Sequence, residues 1–229
     1  MSRFLRFGRI TLALLLISGV FAVLNTSAQG PLGEILKRMD AYNKALQSLK
    51  ADVTMVKVNS QIGSSDTTSG STTYLLKGKR YARVDWVKPV EEQLSVIGDD
   101  YELYRPRLGQ VIYGKTNQSK NSASVGNALG FMSMSRDQLK ANYDVIYIGQ
   151  EQISGGTQTW HLQLTPKAAM SYKTADLWVD GDGMPRQAKI VERNNDTTTV
   201  LLTNIHRNET IKADIFKLSY PGSVKRIRA

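Results

Sequence analysis

The stretch that decides the fold runs from Tyr74 to Gly114 and reads YLLKGKRYARVDWVKPVEEQLSVIGDDYELYRPRLGQVIYG. Ala82, Val84 and Trp86 alternate with the polar Arg83 and Asp85, which is the period of a strand with one buried face. Turn-forming residues interrupt the stretch at Pro89, Gly98-Asp99-Asp100 and Arg105-Pro106. The pattern therefore predicts an antiparallel meander, whose apolar face needs a cover from elsewhere in the chain.

The first 28 residues have the features of a secretory signal peptide. Arg3, Arg6 and Arg9 precede an apolar run from Ile10 to Leu24, and small residues follow up to Ala28. A membrane anchor is the competing interpretation, but the run is shorter than the ~20 residues that a spanning helix needs. We expect cleavage near Ala28, export, and a single domain over residues 29–229.

Composition limits the kind of protein that follows the leader. Residues 29–229 contain 27 basic and 20 acidic side chains, because the leader holds three Arg and no acidic residue. The basic residues are scattered along predicted strands and form no block, which favours a solvated surface over nucleic-acid binding. The chain has no Cys, so neither disulfides nor a thiol for a lipid anchor are available. We expect a freely soluble protein and a monomer.

Helical periodicity occurs in two places. Apolar residues recur every three or four positions from Pro31 to Leu49, which predicts a helix with one apolar stripe. Ser135 has the chemistry of a helix N-cap and predicts a short helix through Leu139. Between them, a strand is expected from Ala51, and the polar segment Gly63–Gly70 is predicted to be a long hairpin loop.

The second half of the chain returns to strand-like patterns. The predicted strands are Tyr143–Gln150, Thr157–Thr165, Ala175–Asp180, Arg186–Arg193 and Thr197–His206, with a short extended piece at Ile215–Leu218. The turns between them, Ser154-Gly155-Gly156, Gly181-Asp182-Gly183 and Asn194-Asn195-Asp196, suit positive φ. The expected fold is mainly β with a helical lid, namely an incomplete, half-open antiparallel β-barrel of about 10–11 strands covered by helices.

A pliable apolar segment lies between the two sets of strands. Residues 123–134 include Leu129, Phe131 and Met132, with Gly126 and Gly130 weakening any helix there. These side chains either pack in the hydrophobic core or belong to a movable lid that adapts to an apolar ligand. The sequence leaves both interpretations open.

Catalytic and metal-binding patterns are sparse. The two histidines, His161 and His206, lie on predicted strands where a surface or packed role is the ordinary one. No nucleophile, zinc or phosphate-binding motif occurs, and Asp180-Gly181-Asp182-Gly183 lacks the further acidic ligands of a calcium loop. Glu91 and Glu92 are adjacent on a strand and point in opposite directions. We therefore expect no enzyme, no metal and no cofactor.

What the chain offers instead is an apolar inner face. If the helices fill it, these residues form an ordinary core, whereas an open cavity could take an acyl chain at ~0.8 kcal/mol for each CH₂ buried. Both alternatives need the same inward side chains, so the pattern does not separate them. The candidate lipid-binding residues are Val53, Met55, Val84, Trp86, Leu94, Val96, Leu103, Leu129, Phe131, Met132, Leu162 and Leu164.

The order of these motifs resembles the periplasmic outer-membrane lipoprotein carrier (LolA-like) family. The similarity comprises Lys-x-x-x-Arg-Val-Asp-Trp ending at Trp86, the segment between Pro89 and Pro106, Leu177–Pro185, and Phe216–Pro221. Each motif is weak alone, but together they extend over nearly the whole chain after the leader.

The resemblance implies a cavity that takes the acyl chains of lipoproteins. Such a carrier receives them from an inner-membrane ATP-driven transporter and passes them to an outer-membrane acceptor, with the lid opening as lipid binds. It also implies that Arg80 is the basic residue that helps to latch the lid, although Tyr81 follows it where the family has Pro and Val84 stands where an aromatic is usual.

Three other functions remain as hypotheses. The first is a carrier or sensor of another lipid, such as a glycolipid or isoprenoid, on the same fold. The second is a hydrolase of an exported polymer, which lacks an evident acid, base and nucleophile. The third is a structural module with a solid interior.

Overall fold

A computed structural model describes residues 30–116 and 134–229. The predicted signal peptide, and the candidate residues Leu129, Phe131 and Met132, lie outside these ranges. Among the described residues two α-helices accompany one sheet of twelve strands. The helices are α1 Pro31–Ala45 and α2 Arg136–Asn142. The strands are β1 Ser48–Asn59, β2 Ser64–Lys77, β3 Lys79–Lys88, β4 Glu92–Ile97, β5 Asp100–Arg105, β6 Gln110–Lys115, β7 Tyr143–Gln152, β8 Gln158–Pro166, β9 Tyr172–Val179, β10 Pro185–Glu192, β11 Thr197–Arg207 and β12 Lys225–Arg228.

The sheet consists of two meanders joined at β1. Its order is β12-β6-β5-β4-β3-β2-β1-β11-β10-β9-β8-β7, so β1 pairs with β2 on one side and with β11 on the other. The sheet does not close, because β12 and β7 form its two ends. An open, almost entirely antiparallel sheet with helices against one face confirms the predicted half-open barrel. The short β12, which runs parallel to β6, was not predicted.

Helix α1 follows the predicted apolar stripe but ends earlier than Leu49. Pro31 occupies the first turn, and Ile35, Leu36 and Met39 are buried. The helix ends at Ala45, and the chain then enters β1. The side chain of Asn208 causes this early end, because its Oδ1 accepts the backbone N–H groups of residues 47 and 48 and its Nδ2 donates to the carbonyl of Ala45.

Helix α2 begins as the sequence predicts. Ser135 Oγ accepts the backbone N–H of Gln138, and the Gln138 side chain accepts the backbone N–H of Ser135, which forms a complete capping box. The helix continues to Asn142, past the predicted end at Leu139. Among the described residues no helix is long and apolar enough to cross a membrane.

The predicted loop Gly63–Gly70 is wrong, because β2 starts at Ser64. The polar segment pairs with β1 along its whole length, from Asn59 opposite Ser64 to Val53 opposite Gly70. Gly70 is needed for packing, since a Cβ there would lie 2.0 Å from the carbonyl oxygen of Asp85 on β3. The polar residues of this segment are explained by a solvent-exposed hairpin, and Gly70 by the close approach of the β3 backbone.

The predicted strands and turns of the second half are confirmed within a few residues. Each of the three turns contains at least one residue with positive φ, at Gly155, Gly156, Gly183 and Asn195. The extended piece predicted at Ile215–Leu218 is wrong, because Ala213–Phe216 forms a 3₁₀ helix. Its Phe216 is fully buried against Tyr81, with ring centroids 5.3 Å apart.

Candidate functional site: the inner face of the sheet

The face of the sheet that contains Val53, Val84 and Leu162 is called the inner face here, and the opposite one the outer face. Strand register places alternate residues of every strand on each face. Val84 lies opposite Leu94, Leu94 opposite Leu103, and Leu103 opposite Ile112, so one apolar row crosses β3 to β6 on the inner face. Val84, the first residue of this row, packs in one buried cluster with Val53 and Leu162, so a single surface connects the two meanders.

Helix α1 covers the inner face of β7 to β11 and of β1. Its buried residues Ile35, Leu36 and Met39 pack in one cluster with the strands beneath them. Six of the candidate lipid-binding residues belong to this cluster and are buried: Val53, Met55, Val84, Trp86, Leu162 and Leu164. In this structure these six side chains pack on protein atoms, as the ordinary-core interpretation requires.

The other three described candidates differ in their surroundings. Leu94, Val96 and Leu103 are half-buried, and of these only Leu94 packs against the cluster under the helices. Ile112 continues their row and is half-buried as well. Ile112 was not among the residues predicted from the sequence, although its place in the strand pattern of β6 could have identified it. These four residues, named the open row, are the inner-face apolar surface that α1 does not seal.

Arg80 lies on the inner face at the start of β3. Its strand partner on β2 is Leu76, whose side chain is exposed. The backbone carbonyl of Arg80 accepts the N–H of Gly98 at 2.8 Å. The Arg80 side chain is exposed. It lies on the same face of β3 as Val84, which is the strand partner of Leu94 in the open row. A cation is therefore available at the edge of the apolar surface.

Helix α1 is fastened to the turn between β9 and β10. Arg38 donates to the carbonyl oxygen of Gly181 at 2.9 Å, and its guanidinium carbon lies 5.2 Å from the centre of the Trp160 ring. A Cβ on Gly183 would lie 2.3 Å from the backbone carbon of Arg38, so the turn and the helix touch through backbone atoms. This contact holds α1 in place over the buried half of the inner face.

Tyr42 lies on the same helix, and burial raises its pKa to about 12. The guanidinium carbon of Arg207 lies 5.6 Å from the centre of its ring. Its hydroxyl has no hydrogen-bond partner among the described residues. The apolar surroundings of α1 therefore extend to its last turn.

The outer face carries a polar cluster around His161 that was not predicted from the sequence. The ring nitrogens of His161 lie 2.9 Å from Asp176 Oδ1 and 3.1 Å from Glu151 Oε2. Trp178 stacks on the imidazole and donates to the same Glu151 oxygen at 2.7 Å. His161 is thus a partnered residue on the opposite side of the sheet from the open row. Alternation in β8 could have placed it there, but not its partners on β7 and β9.

The inner face offers burial of hydrocarbon rather than acid–base chemistry. Its open row is apolar, and the charged side chains next to it on the inner face, Glu92 and Arg105, pair with each other at 3.0 Å. The exposed Arg80 lies on the same face of β3. No group of three or more His, Cys, Asp or Glu residues within 30–116 and 134–229 is placed to hold a metal ion. The arrangement suits an elongated apolar guest.

Comparison with known proteins agrees with this geometry. Residues 44–219 match the family described as "Outer membrane lipoprotein carrier protein LolA". The chain is also 27% identical over 191 residues to an outer-membrane lipoprotein carrier protein of Pasteurella multocida (strain Pm70), which covers 81% of this chain and 86% of that protein.

Solved structures share the fold at low sequence identity. An uncharacterized conserved protein from Thermus thermophilus superposes with a TM-score of 0.56 at 14% identity, covering 87% of this chain and 100% of that one. MucB superposes with a TM-score of 0.54 at 14% identity, covering 85% of this chain and 64% of that one. At this identity the similarity concerns the fold alone.

Proposed function

Because the chain belongs to the LolA family of outer membrane lipoprotein carrier proteins, we propose that it is a periplasmic carrier that binds the acyl chains of lipoproteins. It takes them from an inner-membrane ATP-driven transporter and delivers them to an outer-membrane acceptor, without covalent chemistry. The open row is the observation that carries this proposal. Four half-buried apolar side chains on the inner face provide a surface on which an acyl chain can leave water.

The energetics favour such a role. Each CH₂ removed from water contributes ~0.8 kcal/mol, so about ten methylenes buried along the open row correspond to roughly 8 kcal/mol, the range of a micromolar dissociation constant, which still allows release during transfer. The sealed half of the inner face holds the fully buried cluster, so the half-buried open row contributes less to folding. A carrier requires this separation, because it must remain folded when empty.

Binding of a synthetic triacylated lipopeptide to the purified chain tests the proposal. Leu103→Ser combined with Leu94→Ser removes apolar surface from the open row and is expected to weaken binding by about tenfold or more. Leu108→Ser is the matched control, because Leu108 is exposed just beyond β5 and lies outside the row. Equal weakening in the double variant and in the control, or equal binding of the peptide without acyl chains, contradicts the proposal.

The identity of the cargo requires a separate measurement. Protein isolated from its native compartment is extracted, and the bound species are identified by mass spectrometry. Acylated peptides or lipoproteins support the proposed cargo. Free glycolipid or isoprenoid alone shows that the chain carries another lipid on the same fold.

Arg80 is proposed to contribute to the control of release. Its exposed cation borders the apolar surface of β3, where it can hold a polar group at the mouth while the acyl chains lie inside. Arg80→Leu is expected to change the rate of transfer to acceptor vesicles more than the affinity for lipopeptide. An unchanged transfer rate in this variant removes Arg80 from the mechanism.

A further inference from the structure

A basic concavity lies at one end of the barrel, apart from the open row. It has a volume of about 310 Å³ and is lined by residues 166–170 between β8 and β9, by the first residues of β9, and by Arg193 after β10. Lys167, Lys173 and Arg193 are its cationic side chains, and no carboxylate lines it. All three are exposed, so their charge faces solvent.

Uncharged oxygen atoms hold these cations in place. Lys167 Nζ donates to the backbone carbonyl of Lys140 at 2.6 Å, and Lys173 Nζ donates to Asn195 Oδ1 at 2.5 Å. Arg193 Nε donates to the backbone carbonyl of Met170 at 3.1 Å. Such partners fix the side chains and leave their charge available to an anion.

Three carboxylates lie close by, on Asp144, Asp196 and Glu192, and the strand partner of Glu192 on β9 is the lining residue Tyr172. Asp144 Oδ1 is 3.9 Å from Lys167 Nζ and is itself strongly exposed. Asp196 accepts hydrogen bonds from the backbone and hydroxyl of Ser60 and from the side chain of Asn194, so its oxygens are directed into the neighbouring turn. The three cations form part of the wall of the concavity, whereas these carboxylates lie outside it.

Exposed apolar side chains accompany the cations at the same end of the barrel. Met170, in the wall of the concavity, is 37% exposed. Ile62, at the tip of the β1–β2 hairpin, is 76% exposed. That hairpin is tied to the β10–β11 turn beside the concavity, because Ser60 bonds to Asn194 and Asp196. Cations that flank exposed apolar tips are typical of a surface that binds at a membrane interface.

We propose that this end of the barrel docks on a membrane surface that contains anionic phospholipid. The lipid phosphate groups bind in the basic concavity, while Met170 and Ile62 enter the interfacial layer. Charge complementarity identifies the occupant, since three cations line the concavity and residues 29–229 carry an excess of basic over acidic side chains. The proposal does not depend on the cargo, because the surface is separate from the open row.

The test measures partition of the cargo-free protein onto vesicles by co-sedimentation. The vesicles are an equimolar mixture of phosphatidylglycerol and phosphatidylcholine, or phosphatidylcholine alone. Neutralising the concavity with K167Q/K173Q/R193Q is expected to lower partition onto the anionic vesicles by about 100-fold, since each basic residue near the surface contributes roughly fivefold. Binding of the unaltered chain is expected to weaken as ionic strength rises.

The matched control removes the same charge elsewhere. K77Q/K212Q/K217Q replaces three exposed lysines that lie away from the concavity, at the other end of the strands and on the tail. It is expected to retain most of the binding. Met170→Ser tests the apolar contribution to vesicle binding. It is expected to weaken this binding severalfold without altering its salt dependence.

Four outcomes overturn the proposal. They are no binding to anionic vesicles, equal binding to neutral ones, equal loss in both triple variants, and full competition by soluble glycerol phosphate. The last outcome would make the concavity a site for a free phosphate compound. Lipopeptide binding in the absence of vesicles, measured on K167Q/K173Q/R193Q, separates this result from the carrier proposal, because that binding is expected to be unchanged.

Discussion

The two halves of the sheet are sealed on opposite faces. In the helix-covered half, β7 to β11 with β1, the inner face is packed under α1 and the outer face carries the His161 cluster, in which Asp176 and Trp178 are buried. In the tail-backed half, β3 to β6, the C-terminal segment lies on the outer face. On the inner face, β3 joins the sealed cluster through Val84 and Trp86, and the open row lies on β4 to β6. The difference teaches that each half has its own sealed face, and that the tail-backed half keeps apolar surface available on its other face.

The tail-backed half obtains its cover from the end of the chain. Phe216 is fully buried beside Tyr81, and its carbonyl accepts from the hydroxyl of Ser95. Tyr220 and Arg226 both bond to Glu102 on β5. These contacts replace, on the outer face, the support that α1 gives to the other half on the inner face.

The largest expected effect comes from removing that support. Phe216→Ala is expected to lower the free energy of unfolding by about 3–5 kcal/mol, because it deletes a fully buried aromatic ring. Urea denaturation followed by circular dichroism measures it. The neighbouring Ile215→Ala, at a partly exposed position, serves as the control and is expected to cost less than about 1 kcal/mol. Similar costs for both would show that the tail is not anchored through Phe216.

A matched pair of leucines compares the two halves directly. Leu162→Ala, in the sealed cluster, is expected to cost about 2–5 kcal/mol of unfolding free energy. Leu103→Ala, in the open row, is expected to cost about 1 kcal/mol and to weaken lipopeptide binding. The measurement is urea denaturation of both variants, together with a binding titration. If Leu103→Ala costs as much as Leu162→Ala, the open row is part of the core and the comparison fails.

The attachment of α1 can be weakened at one glycine. Gly183→Ala is expected to cost about 2–3 kcal/mol, because φ is +89° and the new Cβ would meet the backbone of Arg38. Gly181→Ala, two residues earlier, has open space around it and is expected to cost less than about 0.5 kcal/mol. Thermal unfolding, monitored by the fluorescence of Trp160 and the other tryptophans, compares the two. Equal melting temperatures would mean that the turn does not fasten the helix.

The smallest effect concerns alkaline pH. The pKa of Tyr42 is raised by burial to about 12, against about 10 in the unfolded chain. The folded state therefore holds this proton more tightly, and its contribution to stability is complete below pH 10 and is lost as pH rises towards 12. Tyr42→Phe removes both this loss and a hydroxyl without a protein partner among the described residues, so it is expected to raise stability by about 0.5–1 kcal/mol at pH 7.

Unfolding free energies of the unaltered chain and of Tyr42→Phe, measured from pH 8 to pH 12, check this prediction. The gap between the two is expected to widen by up to about 2 kcal/mol above pH 10. A constant gap would place the Tyr42 hydroxyl in contact with solvent.

The sequence predicted those parts of the fold in which a periodic pattern coincides with a buried face. The alternation of Ala82, Val84 and Trp86 identified β3 and its inner face correctly, and the glycine turns marked the ends of the later strands. Prediction failed at Gly63–Gly70, because Ser, Thr and Gly residues are equally compatible with a loop and with a hairpin whose two faces are both exposed to solvent. It failed at Phe216 because a four-residue piece has too few positions to show a period.

The candidate site was predicted in outline only. Alternation identified the inward residues, but it could not tell Leu162, sealed under α1, from Leu103, which the helix does not reach. That distinction depends on where α1 lies across the sheet, and contacts between distant parts of the chain set its position. The basic concavity is also assembled from separate turns, so no local run of sequence could have shown it.

The position of β1 has a consequence for how the chain acquires its shape. Val53 on β1 has two strand partners. Gly70 on β2 is close to it in the sequence, whereas Leu202 on β11 is synthesised near the end of the chain. The first meander can assemble from neighbouring hairpins as soon as its residues are free to fold, whereas the seam between β1 and β11 must wait for nearly the whole polypeptide. Until then one edge of β1 has no partner strand, which is the period when helper proteins that shield unpaired strands would matter most for this chain.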